Sequence, residues 1–109
     1  MAEITLVMYS RTRPCPFVST ARRVLDSLEI PYKEIMIDED EAAYERVVNW
    51  TGFASVPTLI VAKPGSLFPI EVPPSLERGE SPRGINRGFM ITEPSDSQLL
   101  AWLKQHRFI

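Results

Sequence analysis

The chain has 109 residues, 44% of them apolar and 24% charged, with a formal net charge of −2 at pH 7. That length suits one domain with a real core and is too short for two, and the charge gives no electrostatic case for nucleic acid or an anionic membrane. The one cysteine, Cys15, excludes an intramolecular disulfide and fits a reducing compartment.

Met1-Ala2-Glu3 lacks the basic start of a signal peptide, and no segment approaches ~18 consecutive apolar residues. The expectation is a single cytoplasmic domain, 1–109, with no membrane attachment. Ile4–Ser10 is rich in strand formers and almost continuously apolar, which predicts a first strand. Val18, Ala21, Leu25 and Leu28 then fall on one face of a helix predicted over Phe17–Leu28. Pro16 lies in its first turn, where a missing N–H costs nothing.

Between strand and helix runs Arg11-Thr12-Arg13-Pro14-Cys15-Pro16. Cys15 is thereby placed at a helix N-terminus, where unpaired N–H groups and the positive dipole end face its sulfur. A free thiol has a pKa of about 8.5. A helix start with cations beside it lowers that value enough to make thiolate the major form at neutral pH. Arg11, Arg13, Arg22 and Arg23 are close in sequence. A lone cysteine is more often a buried structural residue; the junction, the proline and the arginines favour a reactive one.

Pro31 ends the first helix, and Tyr32–Asp38 alternates as a second strand. Strand, helix and strand in this order imply a parallel pair with a right-handed crossover. Asp38–Glu41 suits a helix start. Ala43, Tyr44, Val47, Val48 and Trp50 form the apolar stripe of a second helix, closed by Thr51-Gly52. Asn49-Trp50-Thr51 matches a glycosylation acceptor, which carries no meaning without secretion.

Ala54–Ala62 reads as a third strand opened by Pro57. A cis Val56–Pro57 bond would leave the Val56 N–H and C=O free for an extended ligand; the tripeptide alone leaves cis and trans both open. From Lys63 to Arg87 the pattern dissolves. Five of the ten prolines lie between Pro64 and Pro82, and Leu67–Val72 is at best an edge strand. Gly88–Thr92 resumes strand character, and Ser95 or Asp96 caps a last helix with Leu99, Leu100, Trp102 and Leu103 inward. His106, with no acidic, cysteine or histidine partner nearby in sequence, reads as a surface residue. There are no internal repeats, no phosphate-cradling glycine loop and no metal-ligand pattern.

The element order βαβα then ββα, Cys15-Pro16 opening the first helix and Ser55-Val56-Pro57 opening the third strand together resemble a glutaredoxin, within the thioredoxin-fold superfamily. The similarity runs without a gap through C-P-F-V-S-T-A-R-R-V-L-D-S-L-E-I-P-Y-K-E-I, resumes in T-G-F-A-S-V-P-T-L-I-V, and continues more loosely from Gly88 to about Leu103, roughly three-quarters of the chain. It implies an α/β fold with a central four-stranded mixed sheet flanked by three helices. Residues 63–87 would form a long Pro-rich insertion in place of a tight hairpin between the third and fourth strands. Because the near ends of those strands are Pro57 and Pro94, the insertion should emerge at the end of the sheet remote from Cys15 and not form an active-site lid.

The resemblance also implies roles. Cys15 matches the nucleophile, and Val56 and Pro57 match the pair whose backbone holds the cysteinyl part of glutathione. Ser95 and Asp96 match the helix start that receives the γ-glutamyl group. Arg11 or Arg13 would attract the glycyl carboxylate, and Phe17 completes the expected glutathione site. Three departures stand out. Val18 replaces the second active-site cysteine, so any exchange is monothiol. Glu93-Pro94 replaces a pair of glycines and crowds the γ-glutamyl pocket. Ala54 stands where many relatives carry a basic residue.

The reading that follows is a monothiol thiol–disulfide oxidoreductase acting on glutathione mixed disulfides. Glutathione would be its co-substrate, glutathionylated or disulfide-bearing proteins its partners, and the monomer its working form, with no tightly bound cofactor. Two alternatives remain. One is a binding module that keeps the fold without the chemistry. The other is a [2Fe–2S] carrier in which Cys15 from two chains and two glutathiones supply the four thiolates; no other metal role is expected. Relatives of the second kind usually show Cys-Gly-Phe-Ser, where this chain has Cys-Pro-Phe-Val.

Overall fold

The computed structural model describes residues 3–109. Met1 and Ala2, on which the reading of the amino-terminal end partly rests, lie outside the described residues. The order is β1 (Thr5–Ser10), α1 (Pro16–Ser27), β2 (Lys33–Met36), α2 (Glu41–Thr51), β3 (Thr58–Ala62), β4 (Met90–Thr92) and α3 (Asp96–Gln105). The four strands form one mixed sheet in the order β2-β1-β3-β4. β1 pairs parallel with β2 and antiparallel with β3, and β3 pairs antiparallel with β4. This is the thioredoxin-like α/β architecture. No helix among the described residues is long and apolar enough to cross a membrane.

β1 is apolar almost throughout because both of its faces are covered. Leu6 and Met8 point into a layer with Ala21, Leu25, Leu99, Trp102 and Leu103, so α1 and α3 share one face of the sheet. Val7 and Tyr9 point the other way, against Ala43, Val47 and Trp50 of α2. Each helix end has a local cause. Asp40 caps α2 by accepting from the Ala43 amide at 3.1 Å, and Gly52 closes it in the left-handed conformation. Ser95 caps α3 in a reciprocal capping box with Gln98.

Several inward assignments are corrected. Leu28 is the C-cap of α1 and is half-exposed, Tyr44 is 46% exposed, and Leu100 is exposed. In each case periodicity marks a face wider than the surface actually covered. Leu67–Val72 forms no strand: Leu67 packs under Tyr9, whose hydroxyl donates to the Leu67 carbonyl, and only the Ile70 amide pairs with β3, at Val61. His106 is no free surface group. Its Nε2 lies 2.6 Å from the Gly88 carbonyl, which also accepts from Trp102 Nε1 at 2.8 Å. A carbonyl can only accept, so His106 holds its proton on Nε2 in this bond.

Candidate functional site

Cys15 ends the loop after β1 and is the N-cap of α1, with extended backbone (φ −147°, ψ 121°). Its carbonyl accepts from the Ser19 amide at 2.9 Å, which begins the helical ladder, and its side chain receives no capping hydrogen bond. Pro16 occupies the first helical position. The residue is 8% exposed, and its Sγ lies 3.9 Å from the Val56 carbonyl oxygen. The Val56–Pro57 bond, open to either isomer in the sequence, is cis. Loop and strand therefore bring Cys15 and the proline-headed strand together.

The loop before Cys15 is fastened from a side that sequence spacing does not reveal. Asp38 Oδ1 and Oδ2 accept from the Thr12 amide at 3.1 and 3.0 Å, and Oδ2 also accepts from the Thr12 hydroxyl. These hydrogen bonds, the hydroxyl's foremost, hold the Asp38 carboxyl below the usual range. Asp38 thus anchors the reactive loop rather than capping α2, a role carried by Asp40. Arg11 is half-buried and its Nη2 donates to the Pro14 carbonyl at 3.3 Å, while its buried Nε has no acceptor. Arg13 is exposed. The other two nearby arginines are committed elsewhere: Arg22 pairs with Glu34, which also accepts from the Ser10 hydroxyl, and Arg23 pairs with Asp96 at 3.0 Å.

The expected γ-glutamyl end is occupied by the chain itself. The Ser95 amide donates to Gln98 Oε1 at 2.8 Å, and Ser95 Oγ accepts from the Gln98 amide at 3.2 Å. Asp96 holds Arg23. Glu93 has φ +45°, its amide donates to the Pro57 carbonyl at 2.8 Å, and its Oε2 accepts from Arg83 Nε at 2.6 Å.

Arg83 belongs to the insertion, and here the sequence expectation fails. The insertion does leave β3 at Ala62, remote from Cys15. The ring of its Phe68 meets that of Trp50 edge-on at 6.0 Å, and the segment then turns past the end of α2. There Arg87 Nη1 donates to the Trp50 carbonyl at 2.7 Å and Nη2 to that of Pro74 at 3.0 Å. The insertion returns along the open edge of β4, with an isolated parallel bridge between Arg83 and Thr92 and the Gly84 amide donating to the Thr92 carbonyl at 2.7 Å. The Arg83 guanidinium carbon ends 5.1 Å from the centroid of the Phe17 ring. An unpaired edge strand offers a row of free backbone groups, and some 25 residues at about 3.3 Å each reach the far end of a short sheet with ease. Length was the one signal that could have placed Arg83 at the site.

Residues 6–63 match the family model described as Glutaredoxin. No curated protein matches the chain. The matched stretch runs from β1 through the cysteine-headed helix to the end of the proline-headed strand, more than half of the sequence, and the chain belongs to the glutaredoxin family.

Proposed function

We propose that the protein is a monothiol thiol–disulfide oxidoreductase in which Cys15 exchanges with glutathione mixed disulfides. The observation that carries this reading is Cys15 Sγ at the head of α1, 3.9 Å from the Val56 carbonyl oxygen. A nucleophile and an extended backbone edge, on which a cysteinyl unit can lie, are side by side. Arg11, held against Pro14 with an unsatisfied Nε, is the better placed of the two upstream arginines for a carboxylate.

In the first step the Cys15 thiolate attacks the glutathione sulfur of a mixed disulfide. The old S–S bond breaks, a new one forms to Cys15, and the released substrate thiolate takes the electron pair and then a proton. No second cysteine can resolve the adduct. A second glutathione thiolate attacks it, Cys15 leaves as thiolate, and oxidised glutathione departs. The net change reduces the substrate sulfur to a thiol and oxidises one free glutathione, which leaves joined to the glutathione that the substrate carried. The reducing cytoplasm is the compartment in which such a thiol is kept available.

Incubation with oxidised glutathione followed by intact-mass measurement tests the reading. One glutathione adduct, lost in Cys15→Ser, is expected. A folded protein that forms no adduct would sink it.

A further inference from the structure

We propose that Arg83 and Glu93 set the substrate range of Cys15 by closing the cleft on its α3 side, so that an amino-acid arm extending from the substrate thiol toward α3 is not recognised. The inference rests on the exchange chemistry proposed above and concerns which disulfides undergo it.

The groups form a closed circuit. Cys15 Sγ lies 3.9 Å from the Val56 carbonyl oxygen, and Val56 joins Pro57. The Pro57 carbonyl accepts from the Glu93 amide at 2.8 Å. Glu93 Oε2 holds Arg83 Nε at 2.6 Å, and the Arg83 guanidinium covers the ring of Phe17, two residues beyond Cys15. A substrate lying along Val56 meets the Arg83–Glu93 pair at its α3 end.

Beyond that pair two of the polar groups at the start of α3, the Ser95 amide and the Asp96 carboxylate, are also engaged. A zwitterionic arm, such as the γ-glutamyl unit of glutathione, needs donors for its carboxylate and an anion for its ammonium. The Ser95 amide already donates to Gln98, and the Asp96 carboxylate already holds Arg23. Binding the arm there would exchange one set of hydrogen bonds for another, with little net gain. The strap is also fixed in place. Gly84 is bonded to Thr92, and a Cβ at Gly84 would come within 2.8 Å of the Gln98 side chain, so the strap is seated directly on the capping box.

The test compares two symmetric disulfides, oxidised glutathione and oxidised cysteinylglycine, which differ by the γ-glutamyl arm. Second-order rates of Cys15 adduct formation are read by quenched mass spectrometry. Each rate is divided by that of free 2-mercaptoethanol with the same disulfide, to remove intrinsic reactivity. The wild-type glutathione-to-cysteinylglycine ratio is expected to lie within about threefold of one, and to rise about tenfold in Arg83→Ala/Glu93→Gly as the α3 end opens. Arg83→Ala alone, at an exposed position, is expected to raise it in the same direction and covers the case in which the double variant does not fold. A wild-type preference for glutathione above about tenfold, or a ratio that stays level or falls in Arg83→Ala, overturns the inference while leaving exchange intact. Absence of any adduct from either disulfide, with the fold preserved, overturns the exchange reading and this inference with it.

Discussion

The guanidinium carbon of Arg83 lies 5.1 Å from the centroid of the Phe17 ring. One residue comes from the returning limb of a Pro-rich excursion, where it bridges to Thr92, and the other from the helix headed by the nucleophile. Their meeting sets the returning insertion against the helix headed by Cys15. With the Arg83 side chain 62% exposed, its pair with Glu93 contributes little to stability; the role proposed for it is steric.

Replacing Cys15 with serine is expected to abolish adduct formation and leave the fold in place. Serine nearly matches the thiol in size and is a preferred N-cap, whereas the Cys15 side chain makes no capping bond. The gain from a cap and the cost of a hydroxyl in a mostly buried site oppose each other, so the unfolding free energy should change by no more than about 1 kcal/mol. Intact mass and denaturant titration read the two outcomes separately.

Glu34 joins β2 to α1 and β1. Burial pushes its carboxyl up, but hydrogen bonds from Arg22 and Ser10 and the Arg22 charge outweigh this and hold it below the ordinary carboxylate value. A carboxyl with a depressed folded-state pKa stabilises the protein above its unfolded pKa of about 4.3, and that contribution is lost as pH falls through the folded value. Glu34→Gln should therefore cost about 1 kcal/mol at pH 7, given that Arg22 is partly exposed, and the difference from wild type should begin to shrink as pH falls below about 4.3 and keep shrinking toward pH 3. Paired urea titrations from pH 3 to pH 8 measure it; a gap that is constant with pH would refute the assignment.

Gly84 has φ +73° and no room for a Cβ, which would sit 2.8 Å from both Gln98 Nε2 and Oε1. In Gly84→Ala the Gln98 side chain must swing away and release the Ser95 amide. A loss of about 1–2 kcal/mol follows from the strained backbone and the broken cap. Hydrogen exchange should show faster exchange at the Ser95 amide, while the Val47 amide within α2 is unaffected.

Arg87 fastens the insertion to the end of α2 through two carbonyls, those of Trp50 and Pro74. Burial lowers its pKa, yet it remains charged at any physiological pH. Arg87→Met keeps the apolar stem and removes both bonds, which should cost about 1–3 kcal/mol. Limited proteolysis should then cut first within residues 74–80. Unchanged cleavage at equal stability would show that the insertion is held by its apolar anchors, Leu67 and Pro69, alone.

Much of the architecture was written locally. The alternating reach of β1 into two layers, the Gly52 stop, the Ser95 cap and the placement of Cys15 immediately before Pro16 all depend on neighbours within a few residues, and short-range backbone preferences are legible in a string of letters. The stripes of α2 and α3 were read too broadly, because the width of a covered face depends on what packs against it. His106 escapes the sequence for the same reason: two of its partners, Gly88 and Phe89, come from the approach to β4, a separate element.

By itself, then, the sequence determined the order of elements and a thiol at a helix start facing a proline-headed strand. Tertiary structure alone decided that Asp38 anchors the reactive loop, that Arg23 takes up Asp96, and that residues 63–87 return to set Arg83 on Phe17. Each of these joins groups from separate elements through charges and backbone edges that carry no periodicity. Their positions follow only once the sheet has formed and left the outer side of β4 open for the insertion to pair with.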